Sequence, residues 1–154
     1  VSGKPPETTG FGGAGASATW REEPIEFATE RIAEEWLKGR LNKLTRLVVL
    51  DGARFASEFL GWTFILTCIW RSDDEDKALG GTGVHAAWRA VDVRTKNRPA
   101  SDMEQLVAYL NGRYVYDPAR PSKPIAYARE HGTGPHMHIQ THPNTIGRSF
   151  MRGA

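Results

Sequence analysis

Three features of the 154-residue chain predict an α+β fold. Helical periodicity comes first, over residues 27–44 and 47–60. Short β-branched and aromatic runs follow at 62–70, 89–94, 125–129 and 137–141. One further helical stretch, opening at Ser101, is inserted among them. Helices ahead of a small, mainly antiparallel sheet, without an alternating strand–helix rhythm, mark α+β rather than a parallel α/β layer.

Residues 1–24 are rich in Gly, Pro, Ser and Thr and poor in large apolar side chains. Such a segment buries too little surface to offset its ordering entropy, so it is read as a flexible leader or linker. Trp20 is its one residue able to dock on the single domain expected over 25–154. In 27–44, Ala33, Trp36, Leu37, Leu41 and Leu44 share a face, with acids early and bases late, as the helix dipole favours. In 47–60, Leu47, Leu50, Ala53 or Arg54, and Phe55 or Phe59 are expected to face inward. Gly52 weakens that pattern, and Gly61 is the expected stop.

The run WTFILTCIW over 62–70 is near-continuously apolar and too short for a comfortable helix, so it reads as a buried strand with Arg71 at its end. Residues 72–83, acidic and then glycine-rich, read as a solvated loop; the DDED run lacks the spaced ligands of a calcium site. Residues 89–94 alternate, with Ala90 and Asp92 on one face and Val91 and Val93 on the other. Ser101 opens SDME, a capping-box pattern, ahead of Leu106, Val107 and Leu110, and Asn111-Gly112 marks the expected end. Three prolines keep 117–124 irregular, and HGTGP between the last two strand-like runs suits a hairpin turn.

Composition narrows the function classes. With 40% hydrophobic and 25% charged residues the chain is globular in type. A net charge of +2, with Lys and Arg scattered among acids, argues against a general nucleic-acid binder. No apolar run is long enough to span a membrane, and the first residues lack the pattern of a secretion signal, so no export route is expected from the chain itself. The one cysteine, Cys68, excludes an internal disulfide and a thiolate zinc site; its apolar surroundings predict a buried, inert thiol.

Chemistry concentrates in GGTGVHAAWRAVD, which holds His85 and Asp92 seven positions apart, and in PHMHIQ, which holds His136 and His138 on alternate positions. On a strand both histidines project to one face and Met137 to the other. Two histidines and a carboxylate complete the three-ligand set of a catalytic zinc, and the remaining histidine stands beside its water, whose pKa the metal lowers to about 7. The plainer alternative is a set of ordinary polar residues on a hairpin.

The residues HAAWRAVD resemble the SxHxxGxAxD signature of the zinc D-alanyl-D-alanine peptidases, which share a core with lysostaphin-type endopeptidases and hedgehog domains. His85, Ala90 and Asp92 match that signature, His136-Met137-His138 matches the family's HxH, and FILTCIWRS is similar to its strand leading to a substrate-binding arginine. The matches keep their order over residues 47–141. The resemblance implies a hedgehog/D-Ala-D-Ala peptidase-like fold with one zinc ion on His85, Asp92 and His138. It further implies His136 as the catalytic histidine and Arg71 as the catalytic, substrate-binding residue that steadies a carbonyl or carboxylate. The substrate it implies is the peptide of bacterial peptidoglycan, cut by a phage or prophage endolysin-type enzyme reaching the cell wall or periplasm.

Two departures stand out. Gly83 replaces the family's Ser, and Trp88 replaces its Gly, so Trp88 is expected to shape the substrate site. Pro135 occupies the position where some members carry a glutamate base. Glu130 and His131, just upstream, are further acid–base candidates, or simply turn residues facing solvent. The alternative function is a non-catalytic, zinc-containing binding or structural module of the same fold. A two-histidine phosphoesterase would need a second His-x-Thr/Ser motif, which His85-Ala-Ala does not supply.

Overall fold

The computed structural model describes residues 20–22, 24–130 and 134–148. The expected α+β architecture is observed. A six-stranded sheet runs in the order β1 (Trp20–Glu22), β2 (Ile25–Phe27), β3 (Phe64–Cys68), β4 (Ala90–Arg94), β7 (His136–Gln140), β6 (Ala126–Arg129). All neighbours are antiparallel except β2 and β3, which are parallel. Helices α1 (Glu30–Leu37), α2 (Lys43–Phe55), α3 (Asp73–Ala78) and α4 (Ala100–Arg113) complete the domain, with a two-stranded ribbon of β5 (Tyr114–Val115) and β8 (Ile146–Gly147). No helix among the described residues is long and apolar enough to cross a membrane.

Cross-strand pairs share a face of the sheet. Phe27, Leu66, Val93 and Met137 lie level with one another across four strands and form the core face. Helix α2 packs against β4 and β7, and α4 packs against α2 and β6. Gly52 sits where α2 comes closest to its neighbours: a Cβ there would meet the Phe64 ring at 3.1 Å and Leu110 Cδ1 at 3.2 Å. The glycine that weakened the helical pattern is a packing requirement.

Several local expectations are corrected. The helix predicted over 27–44 is β2 followed by two helices. Thr29 caps α1, accepting from the Ile32 N–H; Gly39, at φ +69°, turns the chain, and the Asn42 side chain accepts from the N–H groups of Leu44 and Thr45 to start α2. A helix ends where glycine can take the left-handed conformation and restarts where a side chain satisfies its orphan donors. Leu37, placed on the buried face, is 75% exposed. In α2 the buried side is Val48, Val49, Gly52 and Ala53, whereas Leu47 is exposed. A π-helical turn, Ala56–Leu60, carries α2 on to Gly61, which stops it in the left-handed region as expected, and leaves Phe59 exposed.

The capping box expected at Ser101 is found instead at Ser72. Ser72 Oγ accepts from the Glu75 N–H while the Glu75 carboxylate accepts from the Ser72 N–H, so the acidic loop begins with α3. Helix α4 starts at Ala100 behind Pro99 without a side-chain cap, and it runs past Asn111. The Asn111 amide then ties α4 to the sheet, donating to Ala126 O and accepting from Ile125 N. Residues 20–22, inside the expected leader, form the edge strand; residues 1–19 and His131 lie outside the described residues.

Candidate metal centre

The site is built on the face of the sheet opposite the helices α2 and α4. Asp92 on β4 pairs directly with His138 on β7, and Arg94 pairs with His136, so these four side chains share one face. His85 reaches the same point from the segment before β4. Three imidazoles converge on Asp92 Oδ1: His138 Nδ1 at 2.8 Å, His85 Nε2 at 3.2 Å and His136 Nε2 at 3.9 Å. Arg71 holds the other carboxylate oxygen, its Nη2 lying 2.7 Å from Asp92 Oδ2. Asp92, His85 and His138 are all at most 3% exposed.

Hydrogen bonding fixes what each ring can offer. His85 Nδ1 donates to the Ile69 carbonyl at 3.1 Å, so in a neutral His85 the Nε2 lone pair faces a carboxylate oxygen. Two acceptors 3.2 Å apart need a proton or a cation between them. Burial pushes His85 down, but the hydrogen bonds to Asp92 and Cys68 outweigh it and raise its pKa to about 10. For Asp92, burial opposes ionisation, yet the bonds from His138 and His85 hold the carboxyl well below the usual range. His138 is held below its ordinary value by burial, against the pull of Asp92. Its Nε2 is buried with no hydrogen-bond partner among the described residues. His136 Nδ1 donates to the Gly134 carbonyl at 2.8 Å, which leaves its Nε2 as the available nitrogen.

Two further residues belong to the cluster and were not expected there. A register shift between Leu66 and Cys68 sets Cys68 opposite Asp92, where an unbroken ladder would set it opposite Val91. The irregularity re-aims Cys68 onto the site face. Its Sγ lies 3.1 Å from Arg71 Nε and 3.6 Å from His85 Nδ1, and the residue is only partly buried. Ligand atoms of Cys68, His85 and Asp92 all lie within 4.8 Å of one another, a group that could hold a metal ion. Cys68 is therefore not the buried core residue expected, and the exclusion of cysteine from a metal site is corrected to a group of Cys68, His85 and Asp92 that could hold an ion.

Asp76 is the second. Expected in solvent, it is 1% exposed; its Oδ2 accepts from the Gly83 N–H at 2.6 Å and its Oδ1 lies 3.4 Å from Arg71 Nη1. Gly81 packs directly on the carboxylate, with no room for a Cβ. Asp76 therefore ties the glycine-rich segment ahead of His85 to the arginine that holds Asp92. The Ser72–Glu75 capping box was the sequence signal for this, because it turns the acidic run into the first turn of a helix.

Arg71 was expected to meet substrate. Three of its N–H groups serve Cys68, Asp76 and Asp92, which leaves two of its five for another partner. Trp88 was expected beside the substrate; its ring stacks on Trp70, with centroids 5.8 Å apart, and Trp70 rather than Trp88 lines the adjoining cleft. Trp88 has φ +58°, in the left-handed region that favours glycine, at the position where the resembled signature carries glycine. Glu130 is exposed.

A cleft of about 640 Å³ opens over the cluster, with Cys68, Trp70, Arg71 and His136 in its wall. That volume suits a small ligand or a short peptide. The chain matches no protein-family model, no curated protein and no solved structure. Its chemistry therefore rests on the geometry of this cluster.

Proposed function

We propose that the chain is a zinc-dependent peptidase of bacterial peptidoglycan, of endolysin type, with a hedgehog/D-Ala-D-Ala peptidase-like fold. The observation that carries this reading is the convergence of His85 Nε2 and His138 Nδ1 on one oxygen of buried Asp92, beside a cleft. Donors of a tetrahedral zinc stand about 3.3 Å apart, given bond lengths near 2.0–2.1 Å. The 3.2 Å between His85 Nε2 and Asp92 Oδ1 fits, and two facing acceptors are the donor state a cation takes. Trp88 in a glycine-type conformation supports the likeness to SxHxxGxAxD.

In this reading His85, Asp92 and His138 would hold the ion, which supplies an activated water and a Lewis acid for the scissile carbonyl. His136 keeps Nδ1–H on Gly134 O and presents Nε2, the atom that takes up and returns a proton. Arg71 orients Asp92, and its two remaining N–H groups face developing negative charge on the substrate oxygen. The Ile69 carbonyl fixes the His85 tautomer with Nε2 toward the site.

Cys68 favours a second reading, in which the ion is structural and no bond is cut. Thiolate-containing sets with every position filled are typical of structural zinc. The experiment is bound metal per chain for wild type and Asp92→Ala, followed by mass spectrometry of peptidoglycan treated with the wild type. About one zinc, lost in the variant, together with released peptides supports the peptidase. Zinc without released peptides leaves the structural module, and absence of zinc after reconstitution removes both.

A further inference from the structure

The cleft carries two cations that the mechanism above does not use. Arg94 lies two cross-strand pairs beyond Asp92, hence on the same face, and directly opposite His136, so its side chain stands on the site face next to the proposed proton carrier. Lys96 follows two residues on, and both line the cleft. The other cations of the cleft wall are neutralised: Arg31 pairs with Glu35 at 3.0 Å, and Arg71 pairs with Asp92 and Asp76. The cleft's acids are engaged as well, Glu35 with Arg31 and Glu75 with the Ser72 N–H. Among the described residues Arg94 and Lys96 have no ion pair, and both are exposed.

An uncompensated pair of cations in a concave, partly apolar cleft focuses positive potential there. Arg94 adds geometry, because a planar guanidinium meets a carboxylate through two parallel N–H bonds. The backbone beneath it is held, with the Thr95 N–H bonded to Pro135 O across the strand end. We infer that Arg94, assisted by Lys96, is the specificity-determining residue of this cleft and recognises a peptide carboxylate close to the bond presented to His136. The inference rests on the peptidase reading for the identity of that bond. Its recognition chemistry, a short acidic peptide on Arg94, stands independently.

The test is binding rather than turnover. Acetyl-D-alanyl-D-alanine, its C-terminal amide, and an amidated acetyl dipeptide with a glutamate side chain are titrated into wild type, Arg94→Gln, Arg94→Lys and Lys96→Gln by NMR. An Arg–carboxylate bond is worth a factor on the order of 10 or more in affinity. The expected result is that at least one acid ligand binds wild type about tenfold more tightly than the fully amidated peptide. Arg94→Gln then erases that preference, Arg94→Lys restores part of it, and raised salt weakens it. The terminal acid and the side-chain acid distinguish the two sources of the carboxylate. Equal affinity for acid and amide, a preference unchanged in Arg94→Gln, or no binding of any of the three overturns the inference. Acid-selective binding that needs Arg94, in a protein that releases nothing from peptidoglycan, sustains the inference and removes the peptidase.

Discussion

Asp92 and His138 face each other across β4 and β7, with His138 Nδ1 2.8 Å from Asp92 Oδ1. The pairing register makes this contact: a slip of one residue would send one of the two into the core face. The same register sets His136 two pairs further along on the same face, at 3.9 Å from that oxygen, close enough to share the site and not its tightest contact.

His136→Ala is therefore expected to leave bound zinc unchanged and to cut turnover by a factor on the order of 100 or more, the usual weight of a positioned acid–base group. Metal content by elemental analysis and turnover on isolated peptidoglycan check this. Unchanged turnover would remove His136 from the mechanism; lost zinc would make it a ligand.

Asp76→Asn tests the tie between the Gly83 segment and Arg71. The amide keeps an acceptor for the Gly83 N–H but loses the charge facing Arg71. Partners one step behind metal ligands typically alter affinity by about 10–100-fold, so chelator competition is expected to show zinc held more weakly by about tenfold or more. Affinity equal to wild type would confine Asp76 to local packing.

The Asp51 carboxylate gathers Tyr109, Tyr114 and Arg113 at 2.7–2.8 Å, joining α2 to the end of α4 and the start of β5. Burial and the bond to Asp51 push Tyr114 up to about 12. A raised folded-state pKa means that the stabilisation is fully present below pH about 10, the unfolded tyrosine value, and is lost as pH rises through 12. Tyr114→Phe is expected to lower stability by about 1 kcal/mol at neutral pH. It should also flatten the decline between pH 10 and 12, as followed by urea unfolding. An identical alkaline decline in both proteins would show that Tyr114 does not cause it.

Gly52→Ala sets two effects against each other. Alanine gains about 1 kcal/mol of helix propensity. The added methyl meets Phe64 and Leu110, both fully buried and on different elements, and overpacking of this kind costs about 1–3 kcal/mol. Packing is expected to win, with net destabilisation of about 1 kcal/mol and a lower Tm by thermal unfolding. A raised Tm would mean that the α2–β3–α4 junction can yield.

The sequence by itself determined the α+β class, the strand alternation that puts His136 with His138 and Asp92 with Ala90, the Gly61 stop, and the short list of residues that meet at Asp92. These follow from local rules: period-two alternation on strands, period-three-to-four on helices, and glycine where φ is positive. Tertiary structure decided the rest. Strict alternation would send Cys68 inward with Phe64 and Leu66, but a register shift against β4, a property of two strands together, turns it toward Arg71 and His85. Asp76 reads as one more acid in a solvated run until Gly81 and Gly83 close over it. Leu37 and Phe59 match a helical stripe yet face solvent, because α1 ends at Leu37 and α2 widens into a π turn at Phe59, so neither keeps that stripe on the sheet. Local pattern reports which residues can share a face; which faces meet depends on pairings between residues far apart in the chain.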